Sequence, residues 1–224
     1  MPSQNVLSEV APLIHQAALD PYLSIESLNN ICDASRHFGF SGICTDLTRV
    51  TTARERLGPP NKTKLIAVIA FPFGFIPNIH KQAQAEWAAE KGADELDVVP
   101  NFLALIEGDI NLFAAELATI CETGLPVRAI LNLASLSSKD LSIAVEAAID
   151  AGVHGIQTGN GFGRKVNESD IHQLCDLTKG RCEIKAAGGI KKLDQAMQLV
   201  EAGATKIGTT VGSQLIQDLK TLEQ

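Results

Sequence analysis

The sequence predicts a single (β/α)8 barrel, or TIM barrel, that spans residues 1–224 as one domain. Three observations lead to this prediction. Short apolar runs of strand length alternate with amphipathic helical segments, several helices end in a glycine directly before the next strand, and no proline- or serine-rich linker interrupts the chain. About eight strand–helix units fit this length, which suits a closed barrel better than an open doubly wound sheet. The open sheet stays the alternative, although no GxGxxG motif follows the first strand.

Eight segments are predicted to be strands. Their apolar residues form continuous runs rather than clean alternation, which is typical of parallel strands that are covered on both faces. The first two runs, at residues 12–19 and 42–47, are the weakest. The other six predicted strands are residues 64–72, 95–101, 126–133, 155–160, 183–189 and 204–210.

The segments between the later strands carry apolar residues at helical spacing. Within residues 79–90, for example, Ala83, Trp87 and Ala88 lie on one face. A glycine directly after a helix can adopt the left-handed cap conformation, and such glycines follow several segments, as at Gly92. The remaining predicted helices are residues 111–121, 138–151, 167–177, 193–202 and 212–219.

Composition and charge exclude several classes of protein. Hydrophobic residues make up 45% and charged residues 20% of the chain, as in ordinary globular proteins. The net charge of −7 argues against nucleic acid or anionic lipid as a partner, and no apolar run reaches the ~20 residues that span a membrane. The N-terminus lacks the pattern of a secretory signal. Neither a metal ion nor a cofactor is expected, because no His/Asp/Glu cluster has ligand spacing.

The cysteines lie scattered along the chain without CxxC spacing. An odd, dispersed set is typical of reduced thiols in a cytoplasmic protein. We therefore expect core or surface thiols rather than disulfides or a catalytic cysteine, and a cytoplasmic location. The five are Cys32, Cys44, Cys121, Cys175 and Cys182.

Two charged residues interrupt otherwise apolar strands. Asp97 lies within ELDVVPN, and Lys185 lies within EIKAAGG. An unpaired charge buried there would carry a large desolvation cost, so each residue is expected to have a partner. One interpretation is a structural ion pair between the two. The other is a carboxylate and an amine with shifted pKa values at the mouth of the barrel, where such barrels carry their active sites.

Glycine-rich turns accompany the last two predicted strands. AGGI at residues 187–190 follows the seventh strand, and IGTTVG at residues 207–212 ends the eighth. Glycines there let backbone N–H groups approach an anion, and phosphate sites of barrels often occupy this position. The alternative is that the turns serve only chain reversal and helix capping. The predicted phosphate-binding residues are Gly188, Gly189, Gly208, Thr209, Thr210 and Gly212.

Several motifs taken together resemble those of the deoxyribose-phosphate aldolases, over nearly the whole chain. The motifs are AVIAFPFG at residues 67–74, ELDVVPNFLALIEGD at 95–109, IKAAGGI at 184–190 and IGTTVG at 207–212. The resemblance implies reversible retro-aldol cleavage of 2-deoxyribose 5-phosphate to acetaldehyde and glyceraldehyde 3-phosphate. In that family a lysine on the sixth strand forms a Schiff base, a seventh-strand lysine keeps its amine unprotonated, and a fourth-strand aspartate assists proton transfer. Lys185 and Asp97 match the latter two.

The sixth-strand motif departs from the family pattern. The family has VKTSTGF, whereas this chain has IQTGNGF at residues 156–162, so Gln157 occupies the position of the Schiff-base lysine. An amide cannot condense with a carbonyl, and the usual mechanism is therefore not expected. Further departures gather at strand positions that face the active site of the family: His15, Gln16, Asp20, Asp46, Leu47, Arg128, Asn132 and Leu133.

These departures leave three hypotheses for function. The main one is an aldolase-like protein that binds phosphate or a sugar phosphate without cleaving it, as a sensor or regulatory partner, with Gln157 non-catalytic. The alternative is an active lyase that uses Lys185 as a relocated nucleophile and Asp97 in proton transfer. The third is a structural role with vestigial phosphate turns. A phosphorylated small molecule is the expected partner, and a homodimer or another protein partner stays open.

Overall fold

The computed structural model describes residues 10–222. Eight parallel strands form a closed barrel in sequential order from β1 to β8, and β1 completes the ring by pairing with β8. The predicted (β/α)8 barrel is therefore confirmed, although residues 1–9 and 223–224 of the predicted domain lie outside the described residues. The strands are β1 (Ile14–Ala18), β2 (Gly42–Thr45), β3 (Lys64–Ile69), β4 (Glu95–Val98), β5 (Val127–Ile130), β6 (Gly155–Gln157), β7 (Glu183–Ala187) and β8 (Lys206–Thr209).

Several strands end earlier than the sequence predicts. β6, for example, covers 3 residues, whereas the apolar run continues to residue 160. After Gln157 the chain turns into the loop at the rim, where the buried Thr158 hydroxyl donates a hydrogen bond to Ala187 O at 2.8 Å. The sequence pattern includes such loop residues because they are buried against the neighbouring strand, although they no longer belong to the sheet.

Nine α-helices surround the barrel in the part of the chain that the structure describes, and none of these is long and apolar enough to cross a bilayer. The sequence does not predict α1 (Ile25–Phe38), α2 (Val50–Leu57) or the short α4 (Phe102–Ile106). The buried face of α1 includes the polar Ser35, which weakens the apolar spacing. The predicted helices are confirmed as α3 (Asn78–Glu90), α5 (Ile110–Cys121), α6 (Ser138–Asp150), α7 (Glu168–Thr178), α8 (Leu193–Glu201) and α9 (Gly212–Leu222).

Most of the hydrophobic core lies between the outer face of the barrel and the helices. Leu65 on β3 and Leu96 on β4 are fully buried in it, together with Phe113 and Leu117 on α5. Burial of one such side chain contributes about 1.5–3 kcal/mol. This layer therefore accounts for the continuous apolar runs of the strands, and it leaves the inner face of the barrel free to carry polar groups.

The interior of the barrel contains a buried charge network. Arg128 on β5 is among the largest fully buried side chains of the described residues. Its Nη1 donates to Asp97 Oδ1 at 2.7 Å, and its Nη2 donates to Glu183 Oε2 at 3.0 Å and to Glu95 Oε2 at 3.3 Å. Each charge in the network thus has a partner of opposite sign, as burial requires. The network fixes the orientation of Asp97 from below the mouth of the barrel.

Candidate active site

A cleft of about 440 Å³ opens at the carboxyl ends of the strands. Its volume lies in the range of pockets that hold small organic molecules. One wall comes from β1, β3 and the residues directly after them and carries apolar side chains, among them Leu19 and Phe71. The opposite wall comes from β6, β7 and β8 and carries Gln157, Lys185 and the glycine turns. Active sites of such barrels lie at this end of the strands.

The structure brings Asp97 and Lys185 into direct contact. Lys185 Nζ lies 2.5 Å from Asp97 Oδ2, and both residues are buried. The other oxygen, Oδ1, accepts the hydrogen bond from Arg128 at 2.7 Å. The Cys44 thiol donates to Oδ2 at 3.6 Å. The two residues therefore form an ion pair, as one interpretation predicts, and Lys185 at the same time lines the cleft, as the other requires.

Asp97 is a carboxylate at neutral pH. Burial acts to raise its pKa, but the charges and hydrogen bonds of Lys185 and Arg128 outweigh burial, and the pKa lies below its ordinary value. The same surroundings affect Cys44, whose pKa burial raises to about 12, so its thiol stays protonated. An anionic oxygen pair held by two cations therefore lies beneath the cleft: Lys185 lines the cleft, whereas Asp97 is fully buried and does not.

Gln157 stands beside Lys185. The two Cα atoms are register partners on β6 and β7, and neighbouring strands lie about 4.8 Å apart. Gln157 is 6% exposed, and its Nε2 donates to Gly159 O at 2.7 Å. Its Oε1 is buried and has no hydrogen-bond partner within residues 10–222. The cleft thus has an amide at position 157, with the amine of Lys185 one strand away.

The turn after β7 has a backbone that suits glycine. Gly188 and Gly189 have backbone φ angles of 124° and 70°, which residues other than glycine rarely adopt. A Cβ added to Gly189 would lie 2.6 Å from Lys165 Cγ. Both glycines line the cleft, as do Gly208 and Thr210 from the predicted set. This turn therefore presents backbone rather than side chains to the cleft.

Two of the predicted phosphate-binding residues already use their polar groups inside the protein. The buried Thr209 hydroxyl donates to Ile190 O at 2.8 Å and accepts from the Val211 N–H at 3.1 Å. The Gly212 N–H donates to Gln16 Oε1 at 2.9 Å. The Thr209 hydroxyl and the Gly212 N–H therefore serve the turn and the helix start, as the alternative interpretation predicts. Thr209 nevertheless lines the cleft.

Two further residues line the cleft; the sequence places His15 at a position expected to face the active site without giving it a role, and it does not identify Phe162. His15 lies on the cleft floor, and Phe162 stands at the cleft mouth in ring contact with Phe71, with centroids 6.5 Å apart. His15, Ala17 and the following Leu19 alternate along the chain and all line the cleft, so His15 faces the cleft as its position in the family motif implies. No group of three or more potential metal ligands occurs in the described range 10–222.

Comparison with known proteins places the chain among aldolases. No family model matches it. It is 37% identical over 209 residues to the deoxyribose-phosphate aldolase of Trichormus variabilis, covering 93% of this chain and 92% of the relative. The enzyme of Thermococcus kodakarensis is 34% identical over 215 residues, covering 93% and 96%.

Solved structures agree in fold. The chain superposes on QR15, described as an aldolase, with a TM-score of 0.91 and 30% identity, covering 96% of this chain and 97% of that one. It superposes on the deoxyribose phosphate aldolase of Aeropyrum pernix, described as tetrameric, with a TM-score of 0.86 and 28% identity, covering 99% and 94%. Fold and sequence similarity thus define a barrel of the aldolase class.

Within that class, the chain belongs to the deoxyribose-phosphate aldolase family, because relatives more than 30% identical align along more than nine-tenths of it. The resemblance stated from the motifs is confirmed.

Proposed function

We propose that this chain is a lyase that cleaves a phosphorylated aldol such as 2-deoxyribose 5-phosphate, with Lys185 as the amine nucleophile. The observation that carries the proposal is the position of Lys185, which lines the cleft and is the register partner of Gln157. A lysine side chain is long enough to cover the distance of about 4.8 Å between neighbouring strands. The two curated relatives described above are named deoxyribose-phosphate aldolases, and their names supply the substrate class.

Arg128 keeps Asp97 paired when Lys185 loses its proton. An ammonium must lose its proton before it can attack a carbonyl. When Lys185 does so, Asp97 keeps a cationic partner, because Arg128 Nη1 stays 2.7 Å from Asp97 Oδ1. The carboxylate is therefore not left as an unpaired buried charge, which would be costly.

The reaction then follows the chemistry of an amine-catalysed aldol cleavage. Lys185 Nζ adds to the substrate carbonyl carbon, and loss of water gives an iminium. A base takes the hydroxyl proton, the carbon–carbon bond breaks, and its electron pair forms an enamine as the first aldehyde leaves. Protonation of the enamine carbon and hydrolysis release the second aldehyde and regenerate the amine.

The phosphate of the substrate is proposed to bind at the turns after β7 and β8. Gly188 and Gly189 present backbone to the cleft there, and Thr210 lies beside the first turn of α9. The amino end of a helix favours an anion. The exposed Lys191, which also lines the cleft, adds a positive charge on the same wall.

Reductive trapping tests the proposed nucleophile. Purified protein is incubated with acetaldehyde or 2-deoxyribose 5-phosphate and borohydride, and the modified peptide is identified by mass spectrometry. We expect an adduct on Lys185, its loss in Lys185→Met, and an unchanged adduct in the control Lys192→Met, an exposed lysine outside the cleft. An adduct that survives in Lys185→Met would refute the assignment.

A second candidate function is binding of a sugar phosphate without cleavage. The ion pair between Lys185 and Asp97 at 2.5 Å favours it, because an ammonium held in this way is not a nucleophile. Calorimetric titration with phosphate and with 2-deoxyribose 5-phosphate, beside a cleavage assay, separates the two. Binding without turnover supports a sensor or regulatory role, turnover supports the lyase, and absence of both supports a structural role.

We further propose a cytoplasmic location and self-association. The five cysteines form no disulfide in the described residues, which suits a reducing compartment. The relative from Aeropyrum pernix is described as tetrameric. Sedimentation of the purified chain in the presence of reductant measures its assembly, and a purely monomeric species would contradict self-association.

A further inference from the structure

His15 is a buried residue of the cleft floor that has no role in the proposed nucleophilic attack. It lies on β1, is 1% exposed and lines the cleft together with Ala17 and Lys185. Its Nδ1 is buried and finds no hydrogen-bond partner among residues 10–222. Buried polar atoms in folded proteins nearly always have partners, so an exception needs an explanation. A ligand in the cleft would supply one.

Two glycines make room for the imidazole and the lysine in the same part of the barrel. Gly42 on β2 and Gly208 on β8 are the register partners of His15 on either side. A Cβ on Gly42 would lie 3.2 Å from His15 Cδ2, and a Cβ on Gly208 would lie 3.0 Å from Lys185 Cε. Side chains at these two positions would therefore crowd the ring and the lysine stem.

The surroundings of His15 keep it neutral. Burial lowers its pKa well below the ordinary value, and the positive charges of Lys185, Arg128 and Lys206, on β7, β5 and β8, act in the same direction. A neutral imidazole has a lone pair and can accept a proton. It can also return that proton, because the conjugate acid is destabilised where it forms.

Asp97 is poorly suited to the same task. Its Oδ1 accepts from Arg128, and its Oδ2 accepts from Lys185 and from the Cys44 thiol. Both oxygens are therefore engaged, and Asp97, unlike His15, does not line the cleft. The aldol reaction nevertheless needs a group that takes a proton in one step and gives it back in the next.

We infer that His15 carries this proton, an inference that rests on the proposed lyase function. As the carbon–carbon bond breaks, the imidazole takes the proton of the substrate hydroxyl, whose oxygen becomes the carbonyl of the leaving aldehyde. The electron pair of the broken bond forms the enamine and neutralises the iminium nitrogen of Lys185. The imidazolium then protonates the enamine carbon, so that one proton balances both steps.

Exchange of hydrogen for deuterium in acetaldehyde tests the inference separately from the nucleophile. The iminium of acetaldehyde on Lys185 exchanges its methyl protons only through the enamine, which needs a base. Proton NMR in D2O follows this exchange, while borohydride trapping reports the iminium itself. For His15→Asn we expect the trapped adduct at the wild-type level. We expect the exchange to be slower by about 100-fold, because a general base typically accelerates a proton transfer by at least this factor. His172→Asn, a change of an exposed histidine on α7, is the control and should exchange like the wild type.

The outcomes distinguish the inference from the function on which it rests. Wild-type exchange in His15→Asn, with the adduct present, overturns the role of His15 and leaves Lys185 as the nucleophile. Loss of the adduct in a folded His15→Asn protein, checked by circular dichroism, also overturns it, because His15 would then position the amine. Absence of any adduct in the wild type overturns the lyase function and this inference together.

Discussion

Gln157 and Lys185 are direct register partners on β6 and β7, so that a buried amide stands next to the cleft's buried amine. The amide is anchored by its hydrogen bond to Gly159 O, and the amine is anchored by Asp97. The amine of Lys185 is therefore coupled to the carboxylate of Asp97, and under the proposed function this coupling sets the condition for its attack on a carbonyl.

An amine introduced at position 157 should raise aldolase activity. In Gln157→Lys the new ammonium lies beside Lys185, and repulsion between the two lowers the pKa of one of them. Each unit of lowering increases the free amine about ten-fold, so we expect cleavage of 2-deoxyribose 5-phosphate to rise by about ten-fold or more. Release of glyceraldehyde 3-phosphate measures it. Gln157→Met, which adds no amine, is the control, and an equal rise there would contradict the explanation.

Loss of Arg128 should destabilise the fold strongly. Its guanidinium contacts Asp97, Glu95 and Glu183 and is buried, so Arg128→Met removes the cation shared by Glu95 and Glu183 and leaves Asp97 with Lys185 alone. Breaking a buried ion pair costs about 3–5 kcal/mol. Chemical denaturation should show this loss in the free energy of unfolding.

The matched control is Arg181→Met, which breaks an exposed pair with Glu146 on the outside of the barrel. Exposed pairs contribute about 0–1 kcal/mol. Similar losses in the two variants would show that the network around Arg128 does not stabilise the barrel.

The barrel was predictable because its signals are local. Continuous apolar runs reflect burial on both faces of each strand, and glycines such as Gly152 and Gly203 adopt positive φ after their helices, as the pattern indicates. The sequence does not indicate helix α2 because it has only 8 residues, and its three buried residues, Val50, Ala53 and Leu57, form too short a pattern.

The candidate site was predictable only in part, for a physical reason. A charge within an apolar strand identifies Asp97 and Lys185, since burial demands a partner. The sequence does not identify Gln16, on β1, as the acceptor for the Gly212 N–H, because 196 residues separate them and the contact depends on closure of the barrel. The free nitrogen of His15 is likewise a property of the packed interior.

Gly189→Ala should weaken both phosphate binding and the fold. The residue lines the cleft and has a φ of 70°, and an added methyl would also lie 2.6 Å from Lys165 Cγ. We expect a stability loss of about 1–2 kcal/mol from the left-handed conformation. Under the proposed function, affinity for inorganic phosphate should fall by about ten-fold, or about 1.4 kcal/mol, measured by calorimetry.

Gly180→Ala is the control for Gly189→Ala, because Gly180 has a φ of 75° but lies outside the cleft and has no atom within 4 Å of an added Cβ. It should lose comparable stability and keep its phosphate affinity. If both variants bind phosphate like the wild type, the turn after β7 is not the phosphate site.

Acid should destabilise the protein through His15 in a defined pH window. The pKa of His15 in the folded state is well below its ordinary value of 6.5, because of burial and the nearby positive charges. Between these two pKa values the unfolded chain binds a proton that the folded protein does not, so the free energy of unfolding falls as pH decreases below 6.5. The slope reaches at most about 1.4 kcal/mol per pH unit, and the loss stops below the folded pKa.

In His15→Asn this part of the pH dependence should disappear, whatever constant offset the substitution adds, while His172→Asn should follow the wild type. Parallel curves for wild type and His15→Asn, obtained by denaturation from neutral to mildly acidic pH, would show that His15 is protonated as readily in the barrel as in the unfolded chain, and would remove the neutral imidazole from which its proton-carrying role is argued.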